Sequence, residues 1–202
     1  MILPIFYSTI FYFHLNNYLR EYVTKSDNII GSLNVLLNSG FVVLFSNLFL
    51  NNYISDKFYY NTLLCCTGFY INDIFFKKNN KKELLIKSIH HFISFMGIIT
   101  FDKYQDQVAR LFFTEITNFP LQLRNISKEL KFSKKIGTIC IIIFYFMFLK
   151  MRVIDGNQYK NEVCSKNNIK DCVLVNGIHL LWIYWFCLLN LKIFQVIKYI
   201  FL

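Results

Sequence analysis

Leu84-Leu85-Ile86-Lys87-Ser88-Ile89-His90-His91-Phe92-Ile93-Ser94-Phe95-Met96-Gly97-Ile98-Ile99 reads as a membrane span with two adjacent histidines inside it. An ionisable side chain at membrane depth is costly, so it marks either a function or a buried polar partner. The rest of the chain reads as a scaffold around that pair.

Of the 202 residues, 55% are hydrophobic and 19% aromatic, while only 17% are charged. A soluble domain carries about 25% charged residues. Mean hydropathy is +0.38, and there is more apolar sequence than one soluble core can bury. Only 7 Gly and 2 Pro leave little room for long loops. Runs of Asn, Lys, Ile, Phe and Tyr recur throughout and read as compositional bias, from which no function follows.

Seven apolar runs predict membrane spans. They are Ile2 to Leu19, Asn28 to Leu50, Tyr59 to Phe76, Leu84 to Phe101, Val108 to Leu123, Ile136 to Ile154 and Val173 to Phe194. Each approaches the roughly 20 residues that cross the hydrocarbon. In lipid such spans are helices, because no water satisfies an open backbone. The first run lacks a basic leader and a small-residue cleavage site, so it reads as a span rather than a cleaved signal peptide. The fifth contains Arg110, Glu115 and Pro120, so a version of the fold with this segment lying in the interface has six crossings. The expectation is an all-α integral membrane protein, one bundle of about six to seven transmembrane helices joined by short loops.

The formal net charge is +10. No nucleic-acid motif accompanies it, so the positives read as anchors flanking the spans. Arg20 and Lys25, then Lys77, Lys78, Lys81 and Lys82, then Lys128, Lys131, Lys134 and Lys135, then Lys192 and Lys198, fall on one side of a seven-span chain. The other side holds Lys57, Lys103 and the mixed loop Asp155 to Asp171. The positive-inside rule puts the C-terminus in the cytosol and the N-terminus in the lumen or outside. Six spans would split that pattern.

Cys65, Cys66, Cys140 and Cys187 lie within spans and read as small apolar packers. Cys164 and Cys172 share the loop before the seventh span. A disulfide there suits a lumenal loop, and two free thiols are the other reading. No Cys/His spacing suggests a metal.

The third span carries Asn72 and Asp73, the fourth His90 and His91, the fifth Glu115, and the sixth Lys150 and Arg152. The histidines sit roughly 9 Å in from the cytosolic side and Glu115 roughly 13 Å, at 1.5 Å per residue. A histidine and a carboxylate can therefore meet across antiparallel neighbours. Adjacent histidines on a helix point about 100° apart, so both cannot face one small point or ligate one metal. A His–carboxylate pair suits general acid–base work. The other reading makes both histidines structural, bonded to Asp73, Glu115 or a carbonyl. Asp73 also reads as a solvated helix end, Arg152 as snorkelling to headgroups, and His14 and His179 as satisfied structural histidines. Trp182 and Trp185 read as packing residues rather than an aromatic belt.

These residues together resemble the TLC-domain family of membrane proteins, which includes the ceramide synthases. The resemblance runs from Asn28 to Phe194. It rests on Asn28-Ile29-Ile30-Gly31-Ser32, Gly68-Phe69-Tyr70-Ile71-Asn72-Asp73, and His90-His91 with Ser94. Further along it rests on Arg110, Glu115, Pro120, Arg124, Arg152, Asn176-Gly177 and Trp182. Residues 1–27 are then a first helix and short loop before a TLC-like domain over 28–202. The resemblance implies a lipid-sized cavity lined by the histidines, and residence in the endoplasmic reticulum or a related membrane. In ceramide synthases the His pair serves acyl transfer to a sphingoid amine and is followed by a paired-Asp motif. Here one Glu115 followed by Pro120 stands in that region, which looks like the non-synthase branch. Asn34 also stands where relatives often carry a histidine.

Three functions follow as expectations. The first is a protein that binds, senses or handles membrane lipids without ceramide synthase activity. The second is an acyltransferase-like enzyme with His90 or His91 as base and Glu115 as its orienting partner. The third is a membrane trafficking adaptor working through its loops and tail. Membrane lipids are the expected partners, nucleic acid is not, homo-oligomerisation stays open, and no cofactor or metal is expected.

Overall fold

Long apolar runs with few breakers fold here as helices. The computed structural model describes residues 2–75, 81–99, 104–166 and 169–201, and their side chains except at 81–83, 86–87, 196–197 and 199–201. The positions Phe76, Lys77, Lys78, Phe101 and Lys103 in the sequence reading lie outside the described residues, as do the side chains of Lys81 and Lys82. Among the described residues every regular element is helical. The helices are α1 (Ile2–Tyr22), α2 (Asp27–Leu50), α3 (Asp56–Phe75), α4 (Lys81–Ile99), α5 (Gln105–Phe113), α6 (Asn118–Glu129), α7 (Lys134–Phe148), α8 (Asp155–Cys164) and α9 (Ile169–Phe201).

Three helical stretches are long and apolar enough to cross a membrane: Asp27–Leu50, Lys134–Cys164 and Ile169–Gln195. The latter two bury only 22% of their apolar window inside the chain. Ile139 and Phe146 on α7 and Leu180 and Leu191 on α9 are 56%, 63%, 65% and 65% exposed. Water does not tolerate an apolar surface this continuous, whereas lipid does.

The predicted fifth span is not one α-helix. Between α5 and α6 the chain tightens into a 3₁₀ turn, Thr114–Thr117. Pro120 explains the break: it donates no backbone hydrogen bond, and its ring would clash with the carbonyl four residues back, at Ile116. The loop expected over Asp155 to Asp171 is also mostly helix. A π-helical turn, Leu149–Ile154, carries α7 directly into α8, so the helix runs on to Cys164.

The chain divides into two compact units, Met1–Ile116 and Thr117–Leu202. In the first, α1 packs on α3, and α2 on α3 and α5. Helix α1 is thus part of this unit. Gly68 permits the α1–α3 contact, since a Cβ there would overlap Ser8 and lie 2.7 Å from the backbone N of Thr9. Tyr59, Leu63, Leu64, Val42 and Ile98 form a dry core, and the Tyr59 hydroxyl is matched by Ser46 Oγ at 2.7 Å. The start of α2 is fixed by Ser26, whose hydroxyl accepts from the Ile29 N–H, and by Asp27 in the first turn, which suits the helix dipole.

In the second unit α6 packs on α7, and α9 packs on α7 and α8. Gly156 lets α8 approach Trp182, whose Cζ3 would be 2.5 Å from an added Cβ. The Phe148 and Phe186 rings stack below it, 6.5 Å apart. A disulfide joins Cys164 to Cys172 across the α8–α9 turn, with Cα atoms 4.6 Å apart. The Asn176 amide donates to the Cys172 carbonyl at 2.8 Å.

Candidate functional site

Helices α1, α2, α3 and α4 each place polar side chains in the interior of the first unit. Asn34 of α2 donates to Asn16 of α1, and Asn16 donates to Asn72 of α3 at 2.6 Å. Three amides thus run in series across three helices, at 6%, 7% and 3% exposure. The series ends in unfulfilled groups on both sides: Asn34 Oδ1 and Asn72 Nδ2 are buried without a hydrogen-bond partner among the described residues. Each such atom costs about 1–3 kcal/mol unless something meets it.

The residue after Asn72 reaches α4. Asp73 Oδ2 lies 3.1 Å from His91 Nε2, and the two side chains are 9% and 8% exposed. A carboxylate only accepts, so the Nε2–H donates to it. In the neutral ring that bears its proton on Nε2, the opposite nitrogen, Nδ1, is a lone-pair acceptor, and it is buried with no partner among the described residues. Tyr70 stacks on the imidazole with centroids 4.5 Å apart, Phe69 meets it edge-on at 6.2 Å, and Ser94 hydrogen-bonds the Tyr70 side chain. The ring is therefore held in position on several sides.

A narrow cleft of about 20 Å³ opens beside this cluster, lined by Asn16, Asn34, Asn72, Asp73 and Phe69 among others. It has room for about one water molecule, not for an acyl chain. Arg20 and Asp27 also line it and form an ion pair at 3.0 Å.

The structure separates the sequence-predicted residues. His91 is buried, while His90 is half-buried with its ring 5.4 Å from that of His91. The carboxylate on His91 is Asp73, one of the partners expected from the sequence, rather than Glu115. Glu115 is half-buried in the 3₁₀ turn. Asp73 is not a solvated helix end, because α4 covers it with an imidazole. Arg152 does not snorkel. It is 3% exposed, donates from Nε to Thr117 Oγ1 at 3.0 Å, and lies 5.5 Å from the Phe148 ring centroid and 5.7 Å from that of Trp182. Lys150, by contrast, is exposed and pairs with Asp155. His179 donates to the Val153 carbonyl at 3.2 Å, within the π-helical turn. His14 is exposed on α1, edge-on to Phe13, so it is not a buried structural histidine.

Asn16, Asn34 and Tyr70 carry more of the site than the sequence reading gave them. The signal was the i, i+4 spacing of Asn34, Asn38 and Val42 and then Ser46, a buried stripe on α2. Among the described residues no group of three His, Cys, Asp or Glu side chains could hold a metal ion. No protein-family model, curated protein or solved structure matches this chain.

Proposed function

We propose that the chain is a multi-pass membrane protein of the TLC type that binds and handles a membrane lipid, without ceramide synthase activity. One observation carries the reading: a buried imidazole, held by Asp73 and Tyr70, whose Nδ1 meets no partner among the described residues. Such a nitrogen accepts a hydrogen bond from a hydroxyl or amide N–H of a lipid headgroup. The neighbouring cleft at Asp73, whose lining does not include His91, admits only a small group, so the acyl chains would lie on the apolar outer faces of the helices.

Membrane orientation is supported within the second unit. Lys134 and Cys164 stand at opposite ends of a 31-residue helical stretch, about 45 Å at 1.5 Å per residue. That matches the roughly 40–45 Å of a bilayer with its headgroups. The disulfide at one end suits an oxidising lumen, and the lysines at the other suit the cytosol. On this reading the C-terminus is cytosolic and the membrane is that of the endoplasmic reticulum or a related compartment.

The protein purified in mild detergent should carry one lipid class enriched over the host membrane, read by mass spectrometry. His91→Ala and His91→Gln should lose it, while His90→Ala should keep it. Equal retention in all of them would defeat the reading. The Asp73–His91 pair also favours a second one, an acyltransferase-like enzyme with Nδ1 as base and Asp73 as the orienting group. It requires turnover of an acyl donor that His91→Ala abolishes in a folded protein.

A further inference from the structure

Positive charges that serve only as topological anchors need lie merely near a span. Those between α6 and α7 do more, because they converge on one groove. Arg124, Lys128, Lys131 and Lys134 line a cavity of about 570 Å³ whose floor includes Ile141 and the buried Ser127. No acidic side chain is among its lining residues. Arg124 and Lys128 are four apart on α6, where like charges repel on one helix face.

Lys131 adds a backbone observation. It ends α6 with φ 55°, the left-handed conformation that favours glycine. The Phe132 N–H returns to the Ser127 carbonyl at 2.9 Å, closing the helix end around it. A lysine thus occupies a glycine position in the lining of the groove. The hydroxyls of Ser127, Ser133 and Thr138 add hydrogen-bond donors among the cations.

We infer that this groove binds an anionic phospholipid headgroup bearing more than one negative charge, such as a phosphomonoester lipid. Charge complementarity selects the headgroup. The place of the groove selects a lipid over a soluble anion: it lies at the basic end of a helix long enough to cross the bilayer, where apolar Ile141 and Phe132 meet the cations. The site is independent of His91, which lies in the other unit.

The test uses the full chain in nanodiscs of phosphatidylcholine, with or without one-tenth phosphatidate or phosphatidylserine, and native mass spectrometry of the lipids retained on release. Wild type should retain phosphatidate at least tenfold over phosphatidylcholine, and raising the salt should weaken retention. Lys128→Gln/Lys131→Gln should lose most of that preference, whereas Lys25→Gln/Lys57→Gln, an equal charge change in the first unit, should not. Lys131→Gly preserves the helix end and should weaken binding severalfold without loss of folding. Competition by millimolar inorganic phosphate equal to that of the lipid would overturn a lipid site in favour of a soluble anion. No preference for phosphatidate, or equal loss in both double variants, would overturn the site itself.

Discussion

His91 Nε2 and Asp73 Oδ2 lie 3.1 Å apart across α4 and α3, with both side chains less than one-tenth exposed. A buried pair of this kind is hard to break from one side, because the survivor keeps its burial and loses its partner. His91→Ala should therefore destabilise the protein by about 3 kcal/mol. Asp73→Asn should cost less, since an amide oxygen still accepts the Nε2–H. The double variant should be milder than the sum, with a coupling of about 1–3 kcal/mol. Thermal unfolding of the four proteins in one detergent measures this, and strict additivity would show that the pair does not interact.

Two helical glycines should respond in opposite ways to the same substitution. At Gly68 an added Cβ meets Ser8 and the backbone N of Thr9, and a backbone atom on a packed helix cannot rotate away. Gly68→Ala should cost about 1–3 kcal/mol by overpacking and loosen α1 from α3. At Gly177 nothing lies within 4 Å of the added carbon. Gly177→Ala should be neutral or stabilising by up to about 1 kcal/mol, the helix-propensity difference. Melting temperatures and protease sensitivity of the 23–26 turn distinguish the two.

Much of the helix plan was legible in the sequence, because apolar runs with few breakers have one solution in lipid. The places where the reading departs from the structure share a cause. Pro120 was visible, but its effect falls on the turn before it, so Val108 to Leu123 reads as continuous while the helix breaks at Thr114. The segment after Ile154 is polar and reads as loop, yet Gly156 can sit against Trp182, and the helix continues. Partner choice was less legible still. Spacing places His91, Asp73 and Glu115 at similar depth. Which carboxylate meets the imidazole depends on the rotation of α3 and α4 about their axes, and no hydrophobic period in such uniformly apolar helices sets that rotation. The amide series Asn34–Asn16–Asn72 was hidden because asparagine is common throughout this chain.

The Cys164–Cys172 disulfide joins the last residue of α8 to the first turn of α9, cysteines eight positions apart. Chain-entropy arguments give a closure of this span about 2 kcal/mol. Cys172→Ser should lower stability by about that amount and free one thiol. On intact microsomes a membrane-impermeant maleimide should leave that thiol unlabelled until the membrane is opened. A cysteine introduced at Lys131 should label at once from the cytosolic face. Reversed accessibility would overturn the proposed orientation while leaving the helices as they are.

Arg152 gives the sharpest contrast between charge and shape. Its guanidinium carbon lies over two aromatic neighbours, 5.5 Å from the Phe148 ring centroid and 5.7 Å from that of Trp182, and the side chain still donates from Nε to Thr117. Lysine carries the same charge but has no Nε–H in that position and no planar face to lie on a ring. If charge alone mattered, Arg152→Lys would behave as wild type. The geometry instead predicts that Arg152→Lys loses most of what Arg152→Gln loses, about 2 kcal/mol or more where the cation is desolvated. Thr117→Val should reproduce part of the same loss, since it removes the acceptor without touching the rings. Trp182→Leu should then make Arg152→Lys less harmful than it is in the wild-type background, a coupling readable as non-additive shifts in melting temperature. Additive shifts would mean that Arg152 is held by partners other than Trp182.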